Sequence, residues 1–133
     1  MNQDYETVIA SYYRCEDSGG FFDTFYEVFF EKSPEIRPKF AHTEMKTQKQ
    51  FLAASMLWAL RLTKGCEIAH REVEKIGKSH SRSVHNIHPK LYELWLDALC
   101  EAIAIHDSQY TTELEKLWRD AMREGIDLIV SKY

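Results

Sequence analysis

Three histidines, His80, His85 and His88, fall within nine positions of the stretch IGKSHSRSVHNIHP, Ile76 to Pro89. Imidazole ligates metals, so their types and spacing raise the question of a metal site. Three imidazoles around an open fourth position would make a tetrahedral zinc centre. The spacing works against it. Residues five apart lie on different faces of a helix, Pro89 pushes His88 toward extended backbone, and no acidic residue stands where it would complete the set. His85 and His88, beside polar neighbours, read as solvated loop residues. His80 reads differently, because it stands one helical turn after Ile76 and directly after Ser79. A single neutral imidazole offered from an apolar helix face suits the axial ligation of a haem iron. Ser79 would then accept the ring's other N–H and fix which nitrogen faces the metal.

Such a histidine needs helices to hold it. The chain has 133 residues, enough for one domain, residues 1–133, with a sizeable core. Only five Gly and three Pro punctuate it, and no apolar run alternates with period two, so helical periodicity dominates. Asp4 is placed to cap a first helix that ends at Asp17–Gly20. A second helix, from about Phe21 to Lys32, carries a broad aromatic stripe that includes Phe25, Tyr26 and Phe29. Ser33 followed by Pro34 predicts a capped, proline-initiated third helix reaching Phe40. Thr43 is placed to cap the next, with Met45, Leu52, Met56, Ala59 and Leu62 inward, and Lys64–Gly65 stops it. A shorter helix ends near the histidines. Pro89 then opens a long helix with Leu91, Trp95, Leu99, Ala102 and Ile105 inward, and Thr111 or Thr112 caps a last one along Leu114, Trp118, Met122 and Ile129. The fold class is all-α, with six to seven helices.

Composition excludes several roles. A net charge of −4 leaves no basic surplus to neutralise phosphates, which argues against nucleic acid as a partner. Lys and Arg are dispersed, so no electrostatic membrane anchor is expected. The most apolar stretch, FLAASMLWALRL, is too short to span a bilayer, and MNQDYETV lacks the apolar run of a signal peptide. Cys15, Cys66 and Cys100 are odd in number and far apart, which reads as reduced thiols and a cytoplasmic protein. No CxxCH occurs, so a haem would not be attached covalently in the c-type manner.

Four segments together resemble the globin family over nearly the whole chain. FYEVFFEKSPEIRPKF is similar to a globin B helix running through a proline-initiated C helix to the phenylalanine that stacks on haem, which would be Phe40. IGKSHS is similar to the F helix with its proximal histidine, NIHPKLYELWLDAL to the opening of the G helix, and LEKLWRDAMREGIDLIVSKY to the H helix. The resemblance implies a globin fold around a haem b (iron protoporphyrin IX) pocket, with His80 on the iron. Phe25, Phe29, Phe40, Leu52, Ile76 and Ile87 would line the walls. Ser79 would orient the histidine, and Arg82 would join the cofactor-binding set. The B-helix position eight residues before Pro34 puts Tyr26 on the ligand side. FAHTEMKTQKQFL resembles bacterial and truncated globins and puts Gln48 at the distal position, since Met45, Gln48 and Leu52 share a face and Gln50 does not. Trp95 matches a tryptophan found near the ligand in some truncated globins. The short connection from Phe40 to Gln48 leaves no room for a D helix, as in bacterial single-domain haemoglobins, whereas the loop after His80 is a residue or two longer than usual.

The expected ligands are O2, CO and NO at a penta-coordinate ferrous iron, with bound O2 stabilised by hydrogen bonds from Tyr26, Gln48 and Trp95. His42 is the one residue near the distal entrance able to occupy the sixth position instead. The alternatives are an NO dioxygenase or peroxidase-like enzyme, and a gas sensor acting through a separate partner. The chain carries no GxGxxG for a flavin or nicotinamide domain, so an enzyme would need an external reductase. A monomer or homodimer is expected.

Overall fold

The computed structural model describes residues 3–133. Six α-helices follow in order: α1 Gln3–Ser18, α2 Phe21–Glu31, α3 Met45–Leu62, α4 Glu67–Ser79, α5 Lys90–His106 and α6 Thr112–Val130, with a 3₁₀ turn at Arg37–Phe40 between α2 and α3. There is no strand among the described residues, and no described helix is long and apolar enough to cross a membrane.

Local chemistry accounts for the boundaries and corrects several expected ones. Helix α1 begins at Gln3, so Asp4 lies inside the first turn and not at the cap; its carboxylate still faces the positive end of the helix dipole. The α-helix expected from Pro34 to Phe40 is instead a turn followed by the 3₁₀ segment. Pro34 and Pro38 both lack the N–H that an α ladder needs, and the backbone closes with tighter bonds, Lys39 N to Ile36 O at 3.0 Å and Ala41 N to Pro38 O at 3.2 Å. Helix α3 is capped by Glu44 and not Thr43. The Glu44 carboxylate accepts from the Lys46 and Thr47 amides at 3.0 and 3.1 Å, a charged acceptor where the dipole favours one. Gly65, at φ 76°, turns the chain out of α3 as only glycine does without strain. Thr111 caps α6, accepting from Leu114 N at 3.1 Å. Residues 41–44 form only a turn, so no helix intervenes between Phe40 and α3.

The helices cross in pairs around one main core: α2 lies on α5, α3 on both α4 and α6, and α4 on α6. Trp118, Phe25, Leu96, Leu99 and Ile103 are all fully buried there. Burial of each such side chain stabilises the fold by about 1.5–3 kcal/mol before entropy is counted. Ile105, expected inward, is 66% exposed, because the last turn of α5 puts Ile103 on the core side. Gly77 sets the position of α4: a Cβ there would stand 3.1 Å from Ile129 Cα and 2.8 Å from Lys132 Cγ. The close approach holds the last turn of α4, and the histidine that follows it, against α6.

Candidate functional site

Helices α2 and α3 bring two polar groups together within an aromatic cluster. Tyr26 is 5% exposed, and its hydroxyl oxygen accepts from the Gln48 side-chain amide at 3.2 Å. Since Gln48 donates, the Tyr26 O–H proton remains free to donate elsewhere. Burial pushes the Tyr26 phenol up to about 12, against a smaller opposite pull from Gln48, so it keeps that proton at neutral pH. Phe40, half-buried at the end of the 3₁₀ turn, sets its ring 5.7 Å from that of Tyr26. Leu52 is buried one helical turn beyond Gln48. Phe25 is fully buried, stacked 5.3 Å from Phe29, with Trp95 of α5 at 5.9 Å. The Trp95 indole N–H makes no hydrogen bond among the described residues. His42 is exposed.

His80 caps α4, its backbone N–H donating to Ile76 O at 2.9 Å, while Ile87 N donates to His80 O at 3.0 Å. Burial, and then the neighbouring His85, pulls the His80 imidazole down to about 4, so the ring is neutral near pH 7. Its Nδ1 lies 3.1 Å from the Tyr92 hydroxyl, and Nε2 has no hydrogen bond among the described residues. The partner expected for Nδ1 was Ser79. That expectation is corrected: the Ser79 side chain makes no hydrogen bond among the described residues, and Tyr92 of α5 reaches the ring instead, its own ring inclined 24° to the imidazole. The Arg82 guanidinium stands 4.8 Å over the Tyr133 ring, and the Arg82 backbone N–H donates to Tyr133 O at 3.2 Å. Ile76 and Ile87 are half-buried beside the histidine, Ile87 against the main core. His85 and His88 are exposed, and His88 Nδ1 accepts from Lys90 N at 3.1 Å. No three His, Cys, Asp or Glu side chains converge as a metal-holding group among the described residues.

A family model described as Globin matches residues 23–129. The chain belongs to the globin family. It is also similar, at 43% identity over 98% of each chain and with a TM-score of 0.94, to the crystal structure of protein PA3967 from Pseudomonas aeruginosa PAO1, described as structurally highly homologous to a human hemoglobin. No curated protein matches the chain.

Globins generally bind haem, and the residues of this globin fit that group. The candidate site residues offer one neutral imidazole, apolar side chains at Ile76, Ile87, Phe40 and Leu52, and, among the described residues, a ring nitrogen without a partner and no carboxylate hydrogen-bonded to the histidine. Tyr92 is the site residue that the sequence reading missed. Its signal was available: Tyr92, Trp95 and Leu96 share one face of α5, and a tyrosine only 8% exposed on such a face needs a partner for its hydroxyl.

Proposed function

We propose that this globin binds haem b through Nε2 of His80 and reversibly binds O2 on the face toward Tyr26 and Gln48, with CO and NO as further ligands. When bound, the haem iron supplies a sixth coordination position at which O2 takes on partial negative charge. The protein's part is to hold the group and to meet that charge. His80 is presented as a neutral ring, which is the ligating form. Tyr26 has a free O–H beside Gln48 in an apolar surround, where a hydrogen bond to a charged oxygen contributes about 1.5–3 kcal/mol. Gln48 offers an amide where an imidazole would compete for the iron, which supports a penta-coordinate deoxy form. The observation that carries the reading is the presence, in one small domain, of an imidazole nitrogen without a partner among the described residues and a buried phenol with an uncommitted proton.

The test is the absorption spectrum of purified protein supplied with haemin, in ferric, deoxy and CO-bound states. The expected outcome is a Soret band, a single broad visible band in the deoxy state and a clean shift with CO, all lost in His80→Ala. A colourless wild-type protein, or a His80→Ala variant with unaltered colour and ligand kinetics, would refute the proposal. Split visible bands in the deoxy state would assign the sixth position to an internal ligand.

A further inference from the structure

The hydrogen bond between His80 and Tyr92 has a chemical consequence beyond holding a ring in place. We propose that Tyr92 is a positioning residue that fixes the His80 tautomer and keeps His80 a moderate donor to the metal. The proposal rests on the haem reading above. A neutral imidazole carries one N–H. For Nε2 to offer its lone pair, that hydrogen must sit on Nδ1, so Nδ1 donates and the Tyr92 oxygen accepts at 3.1 Å. The ring is then held from two directions. The backbone fixes the residue through Ile76 O and Ile87 N, and the phenol fixes rotation about the last side-chain bond. Tyr92 itself is anchored: it is buried in the main core, and its backbone N–H donates to Pro89 O at 3.1 Å.

The nature of the acceptor sets how strongly the imidazole donates. A carboxylate in this place draws the Nδ1 hydrogen toward itself, leaves more negative charge on the ring and strengthens the bond at Nε2. A phenol oxygen is a neutral and weaker acceptor. Among the described residues no carboxylate hydrogen-bonds either His80 or Tyr92. The arrangement therefore gives a ligand firm enough to retain the group without pushing extra electron density onto whatever binds opposite, which suits reversible binding.

Two measurements test this on wild type, Tyr92→Phe and Tyr92→Glu. In the haem-loaded deoxy protein, the iron–histidine stretch seen by resonance Raman should shift to lower frequency in Tyr92→Phe and to higher frequency in Tyr92→Glu. In the haem-free protein, nitrogen NMR should find hydrogen on Nδ1 of His80 in wild type and a tautomer mixture in Tyr92→Phe, which retains the ring and its packing. An iron–histidine frequency unchanged in Tyr92→Phe, or hydrogen resident on Nε2 in haem-free wild type, would overturn the assignment. A wild-type protein that takes up no haemin is a separate result, and it would remove the function proposed above, while an unshifted band in a coloured Phe variant would remove only this inference.

Discussion

At the junction of α1 with α5 and α6, the Asp107 carboxylate accepts from Ser11 Oγ at 2.6 Å, from Arg14 Nε and Nη2 at 2.6 and 2.9 Å, and from Gln109 N at 2.9 Å. Ser11 in turn accepts from the Trp118 indole at 2.9 Å. Every hydrogen-bonding atom of that carboxylate is used. The candidate site residues on α2, α3 and α5 and at the end of α4 include fewer polar groups, and several have no partner among the described residues: the Tyr26 proton, the Trp95 indole N–H and His80 Nε2. Burying a polar group costs free energy unless it is paired, so a saturated cluster is explained by the fold alone. The second cluster keeps bonding capacity without leaving any buried side-chain nitrogen or oxygen unpaired among the described residues, so water can meet that capacity and a bound ligand can take the water's place. The contrast separates architecture from function without reference to residue type, since both regions hold a buried aromatic and a titratable group.

The contrast breaks most visibly at Asp107. Asp107→Asn removes the charge that holds Arg14 and leaves a poor acceptor in a fully buried place. Loss of about 3 kcal/mol of folding stability is expected, toward the lower end for a broken buried pair because Arg14 keeps some contact with water. Chemical denaturation of the haem-free protein measures it. The ligand kinetics of the loaded protein should not change. A variant as stable as wild type but altered in O2 dissociation would reverse the roles given to the two regions.

Tyr26→Phe is the complementary experiment, with an effect next in size. It removes the free donor and retains the ring, so O2 dissociation followed by stopped flow should speed up about tenfold to a hundredfold, the equivalent of a lost charge-assisted hydrogen bond. CO dissociation should change little, because that ligand carries little charge. Stability should change far less than in Asp107→Asn. An unaltered O2 rate would remove Tyr26 from ligand binding.

These two residues also show what was legible in the sequence. Tyr26 and Gln48 lie on helices whose periodicity fixes their faces, and their order along the chain matches a family pattern, so their contact was readable. The Asp107 junction was not. Its partners Ser11 and Arg14 are more than ninety residues away, and nothing in DSQYTT distinguishes an aspartate that closes a buried network from one that starts a turn. Ile105 failed for a related reason: periodicity gives a stripe but not the angle at which the stripe meets its neighbours near a helix end. The 3₁₀ turn before Phe40 was half legible, since the prolines announced a break in the ladder but not how tightly the chain would wind.

Acid separates the two regions by a smaller effect. His80 is held down to about 4 in the haem-free fold, below the ordinary value of 6.5. The unfolded chain therefore binds the proton first, and the stability linked to His80 is complete above about pH 6.5 and lost as pH falls toward 4. Burial alone would raise the Asp107 carboxyl, but Arg14, Ser11 and the Gln109 amide outweigh it and hold the pKa below the ordinary value. Its contribution is present above the normal carboxylate range and disappears only as pH falls below it. Denaturation midpoints of haem-free wild type should thus decline in two stages on acidification, and His80→Ala should abolish the first alone. A first stage that survives the substitution would assign it to another group.

The smallest expected effect is at Ser79. Sequence order made it the natural partner of the adjacent histidine, yet its hydroxyl makes no hydrogen bond among the described residues, while a tyrosine twelve residues later makes the contact. Along a helix, residues i and i+1 point about a hundred degrees apart, so adjacency in the chain is poor grounds for a side-chain contact. Ser79→Ala should accordingly change folding stability by no more than about 0.5 kcal/mol and leave the absorption spectrum and O2 dissociation as they are. If the substitution instead shifted the iron–histidine stretch as strongly as Tyr92→Phe, Ser79 and Tyr92 would share the Nδ1 hydrogen in the loaded protein. The ring would then have to turn when haem enters, and the region with spare bonding capacity would also be the region that moves.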